Sequence, residues 1–302
     1  MPIAPLYGSH LSAAGGVHNA AAKAGELGLA AVQVFTKSNH RWAVGPLTGE
    51  GVAAWHAARE AAGVRFACAH ASYLINPASP DGELREKSVA ALAVELERAA
   101  ALGLAGVVVH PGSHVGSGVD AGLDRVAGAV ADVLGRTAES AGGCELWLEN
   151  TAGQGTALGA DLAELGTIFA AVPARHRGRL GVCFDTCHAF AAGYDLRTAG
   201  GYAGCFEELG AALAPLGEAG PDGLDRLRCL HVNDSKTPLG SRVDRHEHIG
   251  LGTLGDDAFR RLVTDPRLFG KPFVLETPKK DNEAGVPWDT VNVGRLRGLA
   301  RT

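Results

Sequence analysis

No apolar run in this 302-residue chain approaches the ~18 residues needed to cross a bilayer, and no apolar stretch precedes Tyr7. Those absences argue against a membrane span and a secretory leader, and a cytoplasmic home is expected. Cysteine is sparse. Six residues, scattered and mostly inside apolar runs, do not make a secreted disulfide framework. Cys183 and Cys187, four apart, lack the spacing of a thiolate zinc ribbon. Linkers, internal repeats and low-complexity tracts are also missing, so one domain over residues 1–302 is expected; the Gly-rich stretch Ala214 to Gly223 reads as an insertion. A basic excess is lacking too. With 28 Lys and Arg against 33 Asp and Glu, the net charge of −5 gives no bulk footprint of nucleic-acid binding.

What the chain does have is a repeated pairing of short apolar runs with helical stretches. Pro5 to Ser9, Ala31 to Thr36, Val64 to Ala69, Gly106 to Val109, Glu145 to Leu148, Leu180 to Phe184, Arg228 to Leu230 and Phe273 to Leu275 have strand length. Ala/Leu/Glu/Arg-rich segments such as Ser88 to Leu102 separate them. Strand and helix alternate as in a parallel sheet. Eight such units predict an α/β fold of the (β/α)8 TIM-barrel class, which gathers its site at the C-terminal mouth of the strands.

Six of the eight runs end in His, Asp or Glu. Together with His188, three residues past the sixth run's Asp185, and the segment after the seventh run, they supply His70, His110, Glu149, Asp185, His188, His231, Asp244, His246 and Glu276. Mixed nitrogen and oxygen donors without thiolate suit zinc or manganese, with the affinity order favouring zinc. At three or four ligands per ion, nine residues with one shared carboxylate predict three ions. Alternation along each strand places Cys68, Val108, Trp147, Cys183, Cys229 and Val274 two positions below ligands, so the next layer is expected to be apolar and its cysteines reduced. His10 and His114 are read as hydrogen-bonded structural residues. His18, His40, His56, His176 and His248 are not assigned to metal.

Longer strings carry a resemblance. Ala71-Ser72-Tyr73-Leu74-Ile75-Asn76, His110-Pro111-Gly112-Ser113-His114, Glu149-Asn150-Thr151-Ala152-Gly153-Gln154-Gly155, Asp185-Thr186-Cys187-His188-Ala189-Phe190, His231-Val232-Asn233-Asp234-Ser235-Lys236 and Ser241-Arg242-Val243-Asp244-Arg245-His246 resemble the endonuclease IV family, in order, from about Gly8 to Pro278. The resemblance implies a zinc-dependent apurinic/apyrimidinic (AP) endonuclease that cuts DNA 5′ to a missing base, leaving a 3′-hydroxyl. It implies a first zinc on His70, His110 and Glu149, and a second on Glu149, Asp185, His231 and Glu276. His188, Asp244 and His246 would hold a third, with Glu149 and Glu276 central to catalysis and manganese an alternative occupant. It also implies that Tyr73 and Leu74 wedge into the duplex at the lesion.

Three zinc ions would carry the formal charge from −5 to +1. Lys37, Arg41, Lys236, Arg242, Arg245, Lys279 and Lys280 fall in expected mouth loops and are candidate DNA contacts. In the loop after the second strand the family's arginine position holds His40, and Arg41 follows one place later, which makes both candidates for duplex penetration. The expected partner is duplex DNA with abasic sites, bound by a monomer without a nucleotide cofactor. A sugar isomerase or epimerase of the same barrel class is the alternative. It would need neither the group His188, Asp244 and His246 nor the Tyr73-Leu74 loop. A non-catalytic damage binder would be missing a ligand, and none is missing.

Overall fold

The computed structural model describes residues 5–217 and 223–301, so residues 218–222 of the expected insertion lie outside the described part. Eight parallel strands close on themselves: β1 (Leu6–His10), β2 (Ala31–Val34), β3 (Phe66–His70), β4 (Gly106–Val109), β5 (Glu145–Glu149), β6 (Leu180–Asp185) and β7 (Leu227–His231), with β10 (Pro272–Leu275) sealing the ring between β7 and β1. A two-stranded ribbon that the apolar pattern does not announce, β8 (Asp234–Ser235) against β9 (His246–Glu247), folds over the mouth after β7. Among the described residues no helix is long and apolar enough to cross a membrane.

The outer layer comprises α1 (Val17–Glu26), α2 (Gly49–Ala61), α3 (Gly82–Ala101), α4 (Val119–Arg136), α5 (Leu162–Ala171), the short α6 (Ala174–Arg177) and α7 (Thr186–Ala192), α8 (Ala199–Leu213), α9 (Asp256–Thr264) and α10 (Trp288–Leu299). Local chemistry sets their starts. Asp81 caps α3 by accepting from the amides of Glu83 and Leu84, and Asp185 caps α7 by accepting from His188 N. The second cap has a chemical consequence, because a residue ending β6 and a residue opening the next helix are thereby locked together. Two expected strands are shorter than their apolar runs. β2 ends at Val34, and the carbonyl of Thr36 just beyond it is taken by the guanidinium of Arg98 on α3 at 2.6 and 3.1 Å. The β3 run starts late because Val64 N donates back to Arg59 O, finishing α2.

The inner layer below the mouth is the one that alternation predicts. Cys68, Val108, Trp147, Cys183, Cys229 and Val274 form a closed apolar cluster, with Phe66 stacked on Trp147 at 6.1 Å. Trp147 is too large for an ordinary position there. It fits because Gly106 stands where any Cβ would overlap its ring, and Gly181, its register partner on β6, leaves the other side free. Between barrel and helices lies the larger cluster, including fully buried Leu92, Leu96, Leu134, Phe169 and Phe259. Each such side chain contributes about 1.5–3 kcal/mol by leaving water, which holds eight strand ends in fixed register around one mouth.

Candidate metal centre

Every expected ligand reaches that mouth. Glu149, fully buried at the end of β5, is the hub: its carboxylate lies 3.1 Å from His70 Nε2, 3.1 Å from His110 Nε2, 2.8 Å from His231 Nδ1 and 3.3 Å from His188 Nδ1. Glu276 Oε2 stands 3.2 Å from His231 Nδ1. Asp244, carried by the loop between β8 and β9, offers one oxygen to His188 Nε2 and the other to His246 Nε2, both at 3.2 Å.

Donor atoms converge closely enough for shared ions. His70, His110 and Glu149 form one set within 4.8 Å of one another, and Glu149, Asp185, His231 and Glu276 form another. A third set joins Asp185, His188 and His246. The expected trio of His188, Asp244 and His246 is not one set at that limit; Asp244 groups instead with His246 and Cys187, and bridges to His188 through its second oxygen. Three thiols therefore lie near these donors, Cys187 here and Cys183 with Cys229 beside His231. Burial pushes the Cys187 thiol up to about 12.

The outer hydrogen bonds of the imidazoles fit a metal. His70 Nδ1 donates to Ala71 O at 2.8 Å, His188 Nδ1 to Asn150 O at 2.9 Å and His246 Nδ1 to Glu276 O at 3.3 Å. Each then turns Nε2 toward carboxylates. His231 is reversed: Nε2 donates to Gln33 Oε1 at 2.8 Å and Nδ1 faces inward. One ring nitrogen tied to an outer acceptor and the other aimed at a cluster of anions is how metal-ligating histidines are held. His246 Nε2 is buried, and although Asp244 Oδ1 lies 3.2 Å away the pair does not have hydrogen-bond geometry, so a cation between them would satisfy both atoms.

Electrostatics agree. Burial alone would raise the Glu149 carboxyl, but attraction to His231 and His110 outweighs it and holds the group well below the usual carboxylate range. Burial alone would lower His231, yet Glu276 and Glu149 raise it well above an ordinary imidazole. For His246 the pull of Asp185 and Asp244 likewise overcomes burial and lifts it to about 9. The pocket is built for positive charge.

A surrounding layer of amides positions the ligands, and sequence reading missed it. Asn150 donates to Asp185 O and accepts from Asp185 N, while Asn233 donates to Asp185 Oδ2 and accepts from Glu276 N, all at 2.7 to 3.0 Å. Gln33 Nε2 donates to Glu276 Oε1 at 2.7 Å. The available signal is a lone amide inside the apolar run of β2. His10, read as structural, lies against this layer, 3.1 Å from Glu276 Oε1.

Around the centre the expected contact residues divide. Tyr73 stands up 63% exposed, braced by Phe35 and His70. It lines both a cavity of about 1130 Å³ on the β1 and β2 side and one of about 290 Å³ toward Asn76 and Ser113. Leu74 is half-buried beside it, and His40, Arg41, Lys236, Arg242, Arg245 and Lys280 are at least partly exposed. Lys37 departs from expectation. Its ammonium is buried on Glu95 of α3 at 3.2 Å and donates to Arg41 O at 3.1 Å, so it cannot meet a phosphate. Lys279 is also engaged, donating to Ser9 Oγ, Asp289 Oδ1 and Leu275 O.

Comparison with known proteins places this geometry. Residues 21–291 match the family model described as xylose isomerase-like TIM barrel. A protein from Chloroflexus aggregans named probable endonuclease 4 is 46% identical over 298 residues, covering 98% of each chain. The crystal structure of endonuclease IV from Thermus thermophilus superposes with a TM-score of 0.82 at 41% identity, over 98% of this chain and 99% of that one. A D-tagatose 3-epimerase-like protein reaches a TM-score of 0.70 at 19% identity, over 100% of this chain and 97% of that one, a likeness of fold alone.

Proposed function

Because the chain belongs to the endonuclease IV family of xylose isomerase-like TIM barrels, we propose that it is a DNA-repair AP endonuclease. Its reaction would be hydrolysis of the phosphodiester 5′ to an abasic site, leaving a 3′-hydroxyl. The observation that carries this reading is the convergence of nine His, Asp and Glu side chains around Glu149, with four of the histidines turning one nitrogen toward the carboxylates and the other toward an outer partner. His70, His110 and Glu149 would hold one zinc ion, Glu149, Asp185, His231 and Glu276 a second, and His188, Asp244 and His246 a third; manganese is the alternative occupant. Zinc supplies Lewis acidity toward a phosphoryl oxygen and activates water near neutral pH.

The chain's own part is positional. Glu149 and Glu276 converge on Nδ1 of His231, and Glu149, shared by two donor sets, keeps those sets in fixed relation. Asp244 joins His188 and His246 to the same centre from a loop pinned to α7. Tyr73 and Leu74 would fill the gap left by the missing base, and an abasic nucleotide, with no base to unstack, would turn into the pocket at little cost. Arg41 and His40 would probe the duplex from the neighbouring loop, and Arg242 and Arg245 would meet phosphates. Lys37 takes no part in that surface. We assign the work to one catalytic unit over residues 1–302, acting as a cytoplasmic monomer. The sugar-epimerase alternative loses ground because its likeness stops at the fold, whereas His188 and His246, bridged by the two oxygens of Asp244, and the raised Tyr73 are present.

The test is incubation of the purified protein with a duplex carrying one abasic analogue. A single nick on the 5′ side with a 3′-hydroxyl terminus, lost on chelation and regained with zinc, is expected. Intact abasic duplex after incubation with zinc-loaded protein, together with turnover of a ketose, would reverse the assignment.

A further inference from the structure

Of the four histidines in the centre that have an outer hydrogen-bond partner, three use a backbone carbonyl. A carbonyl of the main chain cannot be removed by substitution. For His231 the partner is a side chain, Gln33 on β2, fully buried and separated from it by 198 positions in sequence. His231 is also the ring that turns Nδ1 rather than Nε2 inward, toward Glu149 Oε1 and Glu276 Oε2.

The Gln33 amide can sit only one way. Its oxygen accepts from His231 Nε2 at 2.8 Å and from Cys68 Sγ at 3.5 Å; its nitrogen donates to Glu276 Oε1 at 2.7 Å and lies 3.0 Å from His10 Nδ1. The reverse orientation would set the amide oxygen against a carboxylate and its N–H groups against an imidazole N–H. We infer that Gln33 is a positioning residue that selects Nδ1 of His231 as its metal-facing nitrogen and braces Glu276 on the opposite side of the same donor set. The inference rests on the metal reading given above. Without the amide, His231 loses the acceptor that fixes its ring orientation, and Glu276 Oε1 loses its shorter contact, 2.7 Å against 3.1 Å to His10 Nδ1, and with it the closer of the two groups that hold it while Oε2 faces the centre. Groups that orient metal ligands in this way typically change metal affinity by about 10–100-fold when removed.

The test compares wild type with Gln33→Met, which nearly preserves volume and removes both polar functions. Zinc affinity is measured by competition with a chelator of known strength, alongside metal counting and the thermal midpoint of each chain. The expected result is a loss of affinity of about 10–100-fold at one of the sites, with folding retained. Wild-type affinity in Gln33→Met would overturn the role of Gln33. A wild-type chain that holds no zinc in the same competition would overturn the metal reading itself, so the two failures are distinct. A second measurement needs no variant: nitrogen-15 shifts of zinc-loaded, histidine-labelled wild-type protein should show His231 coordinated through Nδ1, and coordination through Nε2 would refute the inference.

Discussion

Glu149 and Lys37 are both buried charges, and they illustrate why one is legible in the sequence and the other is not. Glu149 ends an apolar strand run, so periodicity alone points it into the mouth. Substitution to Gln keeps its shape and removes the charge that would serve two cations. Glu149→Gln should lower incision by several orders of magnitude while abasic-DNA binding persists, read by single-turnover cleavage beside a binding isotherm; a near wild-type rate would remove Glu149 from the mechanism. Lys37 reads as a surface cation because it sits in a loop beside Arg41. Its partner is 58 positions away on α3, and nothing local marks that pairing. The cost of breaking it follows from burial: removing one member of a buried ion pair typically destabilises by about 3–5 kcal/mol. Burial raises the Glu95 carboxyl, and Lys37 with the Ser72 amide draws it partly back. A folded-state value above the unfolded one means that stability is fully present at low pH and declines as pH rises through the folded value. Lys37→Met deletes a lowering influence and moves that value further up. The stability deficit of Lys37→Met should therefore be larger near about pH 8 than near about pH 5, measured by denaturant titration; a deficit independent of pH would mean that Glu95 finds another counter-charge.

At the scale of elements, the same α3 residues join the two loops proposed to probe the duplex. Glu95 also accepts from Ser72 N at 3.0 Å, Ser72 Oγ donates to Asn39 O at 2.8 Å, and Arg98 holds Thr36 O and Gly45 O. The loop with His40 and Arg41 and the loop with Tyr73 and Leu74 are thus fastened to one helix and to each other. The loop after β8 is fastened differently: Gly240 N and Arg242 N donate to Phe190 O and Ala191 O of α7, and Arg242 takes a left-handed backbone, φ 53°. A long side chain in that conformation is costly and is retained where geometry matters. These two supports predict different behaviour. Arg41→Ala should weaken binding to abasic duplex more than to intact duplex. Arg242→Ala should weaken both alike and reduce the salt slope by about one unit, as a phosphate contact does. Binding isotherms on both duplexes at two salt concentrations check this. Equal losses for Arg41→Ala would leave penetration to Tyr73 and Leu74. Strand ends are readable because alternation fixes which residues share a face; these loop attachments are not, because they depend on pairings between distant segments.

For the whole molecule, ring closure turns residues spread from His70 to Glu276 into one centre. The strand pattern carries the barrel and its apolar lower layer, including the site of Trp147, but not the ribbon of β8 and β9, whose two-residue strands are too short to leave a period. Nor does it carry the amide layer of Gln33, Asn150 and Asn233, which becomes visible only when neighbouring strands are side by side. A chain with net charge −5 and a mouth crowded with carboxylates should need cations to work on a polyanion. The central claim is that nine donors form a three-ion centre, and elemental analysis of gently purified protein tests it most directly. About three divalent ions per chain, mostly zinc, with about one lost in His188→Ala, is the predicted result; two or fewer in the wild-type protein would contradict it.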